Sequence, residues 1–178
     1  MKTALLVIDV QNGVFASDNQ PYRAADVVTN TVKLVTHART TGLTTVLIQH
    51  EIPNVLEPGS HAWELLADLN AGDQDCIIRK RTPDAFMGTD LNAVLNGRGI
   101  EQLIVCGYAT DFCIDRTCFS AASQGYQVIL AQDAHTTQNK PHLQAQAIIG
   151  HHEFLLSKHP AIRLMAVADI LELPLNGC

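Results

Sequence analysis

Six short apolar runs recur along the chain, and none of them alternates cleanly between apolar and polar positions. They are Ala4–Ile8, Thr45–Ile48, Cys76–Ile78, Leu103–Cys106, Gln127–Ala131 and a weaker one at Arg163–Met165. A strand with one wet face alternates, whereas a strand that is apolar throughout is covered on both sides, as in a parallel sheet. Helical spacing fills the intervals. Ala24, Val27, Val28, Thr31, Leu34, Val35 and Ala38 follow i, i+3, i+4, i+7 spacing, and Gly42 ends that helix. Leu91, Val94 and Leu95 predict a short helix capped by Thr89 and stopped by Gly97. Ile114, Thr117, Cys118 and Ala121 predict another, ended by Gly125, and Leu143, Ala147, His151 and Phe154 a last one. Strands alternating with helices predict an α/β fold with a mainly parallel six-stranded sheet. At roughly 150 residues per domain, the chain of 178 residues is expected to form one domain, 1–178.

Composition excludes several classes of function. The net charge of −6 makes a poor binder of phosphate backbones, so no nucleic-acid partner is expected. The longest apolar runs have five or six residues, against the ~20 that cross a bilayer, so no membrane partner is expected either. Met1–Asp9 lacks the long apolar stretch and cleavage site of a signal peptide. The five cysteines include no CxxC pair, which fits a reducing compartment. Together these features predict a cytoplasmic protein. Gly97-Arg98-Gly99 is only part of a dinucleotide fingerprint and follows no strand, so no nucleotide cofactor is expected.

In a parallel α/β sheet the ligand crevice lies at the carboxyl ends of the strands, so the residues just after each run carry the functional reading. Asp9 follows the first run, flanked by Ile8 and Val10. A carboxylate in dry surroundings with a cation nearby can be poised for proton transfer, although an Asp here also suits a turn cap. Arg79-Lys80-Arg81 follows the third run. It reads as a solvated loop or as a lysine reaching into the crevice. Gly107-Tyr108-Ala109-Thr110-Asp111-Phe112-Cys113 follows the fourth. Thr110 or Asp111 suits an N-cap there, which puts Cys113 in the first helical turn, where free N–H groups and the helix dipole lower a thiol pKa. The alternative is that Cys113 is one more buried apolar residue. Cys76, Cys106 and Cys118 fit that alternative, and Cys178 is terminal and uninvolved. An acid, an amine and a thiol thus stand at three strand ends, the groups a cysteine nucleophile needs.

These residues resemble the isochorismatase-like cysteine hydrolases, a family that includes nicotinamidases and N-carbamoylsarcosine amidase. The match runs from Leu6-Val7-Ile8-Asp9-Val10-Gln11-Asn12 through Gln49-His50, Trp63-Glu64-Leu65 and Lys80. It continues through Asp84-Ala85-Phe86-Met87-Gly88-Thr89 and the segment ending at Cys113 to Gln132-Asp133-Ala134-His135. The resemblance implies a Rossmann-like three-layer sandwich assembled as a homo-oligomer, either dimer or tetramer. It implies Asp9 as general base, Lys80 as the orienting cation and Cys113 as the nucleophile. It further implies backbone N–H groups of Ala109 and Cys113 as the oxyanion hole and a cis Tyr108–Ala109 peptide. Candidate substrate-binding residues are Gln11, Phe15, His50, Trp63, Phe86 and Tyr108, and Phe112 is also near a strand end.

Nicotinamidases place an Asp-x-His pair after strand two to hold a metal. Here Gln49-His50-Glu51 stands there, with His61 eleven positions on. Two histidines fall short of the three or four ligands a metal needs, so no metal is expected. His151 and His152 point about 100° apart on a helix. The expected function is hydrolysis of an amide-type C–N bond of a small molecule through a Cys113 thioester. The alternatives are an isochorismatase-type vinyl ether hydrolase using Asp9 as acid, and a catalytically silent binding subunit.

Overall fold

The computed structural model describes residues 1–175, so Cys178 lies outside the described residues. Six strands form one sheet: β1 (Thr3–Ile8), β2 (Thr44–His50), β3 (Cys76–Lys80), β4 (Gln102–Tyr108), β5 (Gln127–Thr136) and β6 (Ile162–Met165). Their order is β3-β2-β1-β4-β5-β6 and every pairing is parallel. The direction of winding reverses between β1 and β4, which is the switch point where ligands bind in such sheets.

The helices are α1 (Asn12–Phe15), α2 (Ala24–Thr40), α3 (Leu91–Gly97), α4 (Asp115–Ser123), α5 (Ala145–Leu156) and α6 (Val167–Leu171). Because successive side chains of a strand point to opposite faces, each strand feeds two cores. Ala4, Leu6 and Ile8 of β1 pack in one cluster with Leu91, Leu95, Cys118 and Leu156. Leu5 and Val7 pack in the other with Val27, Leu34, Val167 and Ile170. Helices α3, α4 and α5 therefore cover one face and α2 and α6 the other, a three-layer sandwich. None of the described helices is long and apolar enough to cross a membrane.

Several local expectations are corrected. Strand β5 runs on to Thr136, past the exposed Gln132 and Asp133, because a register shift opposite Val105–Gly107 lets it rejoin β4. The buried face of α5 is Ala145, Ile148 and Leu156, while Leu143 precedes the helix and Phe154 is exposed. Neither Thr110 nor Asp111 caps a helix: residues Thr110–Ile114 form a π-helical turn that leads into α4.

Candidate active site

Strand ends bring the site together. Chain direction changes at Asp9, whose φ of 54° lies in the left-handed region that aspartate enters more readily than most residues. Its N–H donates to the Ile48 carbonyl (3.0 Å), holding the end of β1 against β2. Lys80 is the last residue of β3, and strand alternation settles its two readings. Arg79 and Arg81 point outward, to the Trp63 ring at 5.0 Å and to Glu51 at 2.9 Å, so Lys80 points inward and is buried. His50 pairs in register with Lys80 at the end of β2, and so falls between the ends of β1 and β3.

On the other side of β1, Gly107 pairs with Ile8. Its φ is 117°, and a Cβ there would stand 2.0 Å from the Ile8 carbonyl oxygen, so only glycine lets β4 approach this closely. The Tyr108–Ala109 peptide is cis. The π turn that follows is held by its own side chains. Thr110 Oγ1 lies 2.8 Å from His135 Nδ1, and Asp111 Oδ1 accepts from the Thr137 hydroxyl at 2.6 Å. Cys113 rides on that turn, 3% exposed.

The three residues expected to converge do so around the Lys80 ammonium. Its Nζ lies 2.9 Å from Asp9 Oδ2, 3.2 Å from Cys113 Sγ, 3.0 Å from His50 Nδ1 and 3.2 Å from the Thr82 carbonyl. His50 Nδ1 is also 3.7 Å from Cys113 Sγ and 3.4 Å from Asp9 Oδ2. Two donors do not face each other at 3.0 Å, so Nδ1 accepts from Lys80 and the ring is the neutral tautomer with its proton on Nε2. Asp9 Oδ1 is buried and has no hydrogen-bond partner. One carboxylate oxygen is thus committed to the lysine and the other is free to take a proton.

Burial is the largest influence on the Cys113 thiol and pushes it up to about 12; the Asp9 charge pushes the same way and Lys80 opposes. The surroundings run against the lowered thiol expected at a helix start: burial and the neighbouring carboxylate favour the protonated form, and Lys80 works against them. Asp9, His50 and Cys113 bring three metal-ligating atoms within 4.8 Å of one another. The Lys80 ammonium contacts all three and already supplies the positive charge at their centre. His61 is not among them; its ring is 83% exposed and pairs with Glu64 at 3.1 Å.

A cavity of about 580 Å³ opens over this cluster, with Asp9, His50, Ala109 and Cys113 at its floor. Of the substrate-binding candidates, His50 and Tyr108 line it, and so does Phe112. The other four lie outside its lining. Gln11 is fully buried and holds the His50 backbone: its Oε1 accepts from the His50 N–H (2.9 Å) and its Nε2 donates to the His50 and Trp63 carbonyls (3.1 and 2.7 Å). Phe15 packs edge-on behind Tyr108 at 6.2 Å, Phe86 stacks on Tyr126 at 5.8 Å, and Trp63 lies under Arg79. Asp111, Gln138 and Lys140 also line the cavity and were not among the sequence candidates. Gln138 and Lys140 follow β5, a strand end that bears no run of residues typical of catalysis. His151 is exposed while His152 Nδ1 lies 2.9 Å from Asp115, so the two part as expected of neighbours on a helix.

Comparison with known proteins adds a family. The Isochorismatase domain model matches residues 3–151. The chain is 35% identical over 145 residues to the isochorismatase family protein YddQ of Bacillus subtilis (strain 168), covering 77% of this chain and 79% of that protein. It is 34% identical over 140 residues to a streptothricin hydrolase of Streptomyces noursei. That match covers 78% of this chain but only 51% of the hydrolase. A crystal structure of an isochorismatase family protein superposes with a TM-score of 0.86 at 30% identity, covering 93% of this chain and 98% of that one.

Proposed function

The chain belongs to the isochorismatase family of hydrolases, and from that premise we propose that it cleaves an amide-type C–N bond of a small molecule with Cys113 as nucleophile. The observation that carries the reading is the Lys80 ammonium contacting both Asp9 and Cys113 at the floor of an open cavity.

Cys113 Sγ attacks the substrate carbonyl as its proton passes to Asp9 Oδ1, the carboxylate oxygen left without a partner. Transfer during the attack suits a thiol that burial holds at about 12, because a free thiolate never has to accumulate. Lys80 holds Asp9 in place and, 3.2 Å from Sγ, offsets the negative charge as it leaves the Asp9 carboxylate and develops on the sulfur and the substrate carbonyl oxygen. The backbone N–H groups of Ala109 and Cys113 receive the tetrahedral oxyanion. Asp9 then gives its proton to the departing nitrogen, the C–N bond breaks, and a thioester remains on Cys113. Water attacks that thioester, Asp9 takes its proton, and the acid leaves as Cys113 regains its hydrogen.

The test is mass spectrometry of Cys113 with a panel of primary carboxamides and ureides. Acyl-Cys113 in the wild type, and neither adduct nor turnover in C113A, is the expected result. A vinyl ether hydrolase using Asp9 as acid needs no thiol, so turnover of a vinyl ether by C113S, with no amide cleaved by the wild type, would replace the amide reading with that one.

A further inference from the structure

The charges around the cavity come as two closed pairs. At the floor Asp9 and Lys80 meet at 2.9 Å. At the mouth Lys140 Nζ meets Asp111 Oδ2 at 3.2 Å, while the Thr137 hydroxyl holds Asp111 Oδ1 at 2.6 Å. The remaining polar groups of the wall are neutral or committed. The His50 ring is the neutral tautomer argued from its 3.0 Å contact with Lys80. The Tyr108 hydroxyl donates to Gln138 Oε1 (3.1 Å), and the Gln138 amide donates to the Asn19 carbonyl. The rest of the lining is apolar: Val14, Ile52 and Leu56 within it, and Val55 and Phe112 at its exposed rim.

A charged ligand entering this space finds each lining charge already paired, and the polar atom left without a hydrogen bond, Asp9 Oδ1, is the proton acceptor of the proposed reaction. Such a ligand must lose hydration beside apolar side chains, or else break the Asp111–Lys140 pair and strand one of its members. An uncharged ligand has neither cost and gains the apolar wall. We propose that the cavity selects uncharged substrates, namely neutral carboxamides or ureides with an apolar substituent, and that the Asp111–Lys140 pair sets this selection. The class of bond cleaved rests on the amide-hydrolase reading; the charge selection is a property of the cavity.

The experiment uses the full chain and three methanethiosulfonates of similar size: ethyl, 2-ammonioethyl and 2-sulfonatoethyl. The modification rate of Cys113 is read by mass spectrometry, and each rate is divided by the same reagent's rate with 2-mercaptoethanol. The ethyl reagent is expected to exceed both charged ones at least tenfold. In D111N, which frees Lys140, the sulfonate reagent is expected to gain at least fivefold relative to the ethyl reagent. In K140M, which frees Asp111, the ammonium reagent is expected to gain similarly. Lys140 is one-third exposed, so K140M carries the comparison if D111N does not fold. A charged reagent at parity with the ethyl one in the wild type, or no crossover in a folded variant, overturns the proposal. Failure of the hydrolase reading, seen as no acyl-Cys113 with any amide, is a separate result, since these reagents need no hydrolysis.

Discussion

The Lys80 ammonium and the Asp9 carboxylate stand 2.9 Å apart with 0% and 2% of their side chains exposed. Each is therefore the other's only compensation for leaving water, apart from the hydrogen bonds that Lys80 makes to its neighbours. Removing one partner of such a pair costs about 3–5 kcal/mol. D9N and K80M should each lower the urea midpoint accordingly, and the double variant should lose less than the sum. Their effects on Cys113 should be opposite. Asp9 raises the thiol and Lys80 lowers it, so at fixed pH iodoacetamide should label Cys113 faster in D9N and slower in K80M. Turnover should vanish in both. Labelling that moves the same way in both variants would contradict the assigned electrostatics.

The close approach of β1 and β4 is a second point of leverage. At Gly107 a Cβ would lie 2.0 Å from backbone, whereas at Gly125, φ 94°, a Cβ meets nothing within 4 Å. Gly125→Ala should cost about 1–2 kcal/mol, the conformational penalty alone. Gly107→Ala should cost several times more, because the Ile8–Gly107 register that sets Asp9 beside the Cys113 turn has to open. Thermal melts of the two variants make the comparison, and equal losses would show that the contact is not limiting.

The sheet was legible because its strands are covered on both faces, so Ala4–Ile8 or Leu103–Cys106 needs no context to be read. The placement of Asp9, Lys80 and Cys113 at three strand ends was legible because such ends are where parallel sheets bind ligands, while their expected roles came from the family resemblance. His50 was legible only as a pocket residue. Its contact with Lys80 follows from the order β3-β2-β1, which no local pattern encodes. The π turn was illegible for a similar reason: Thr110 and Asp111 resemble caps, and what redirects them is His135 and Thr137, more than twenty residues away. Phe15, Trp63 and Phe86 sit near strand ends in sequence, yet each finds a ring or guanidinium partner outside the cavity. Leu143 and Phe154 misled because the buried stripe of α5 is narrow, with Ala145 and Ile148 at its start.

Buried thiols should make the fold sensitive to alkali. Burial raises Cys106 from 9.0 to about 12, and it raises Cys118 as well. A group whose folded pKa is raised contributes stability that is whole below its unfolded value and is lost as pH climbs toward the folded one. Between about pH 9 and pH 12 Cys106 should cost about 1.4 kcal/mol per pH unit. Urea midpoints at pH 8.5, 9.5 and 10.5 should fall more steeply in the wild type than in C106A, whose cavity cost does not depend on pH. Parallel slopes would mean that Cys106 ionises as readily folded as unfolded.

Gln11 offers the sharpest separation of positioning from substrate contact. Its amide satisfies the His50 N–H and two carbonyls, those of His50 and Trp63, and none of its surface is exposed. Gln11→Leu keeps the bulk and removes the partners. Unsatisfied buried groups cost about 1–3 kcal/mol each, so a total loss of about 2–4 kcal/mol is expected. Gln11→Glu keeps an acceptor for the His50 N–H but loses the donor to both carbonyls, and it should be no better. Because His50 moves with its backbone, turnover should fall through kcat while KM for a neutral amide changes little. A residue that bound substrate directly would instead raise KM and leave the urea midpoint unmoved, and that pattern would return Gln11 to the cavity wall.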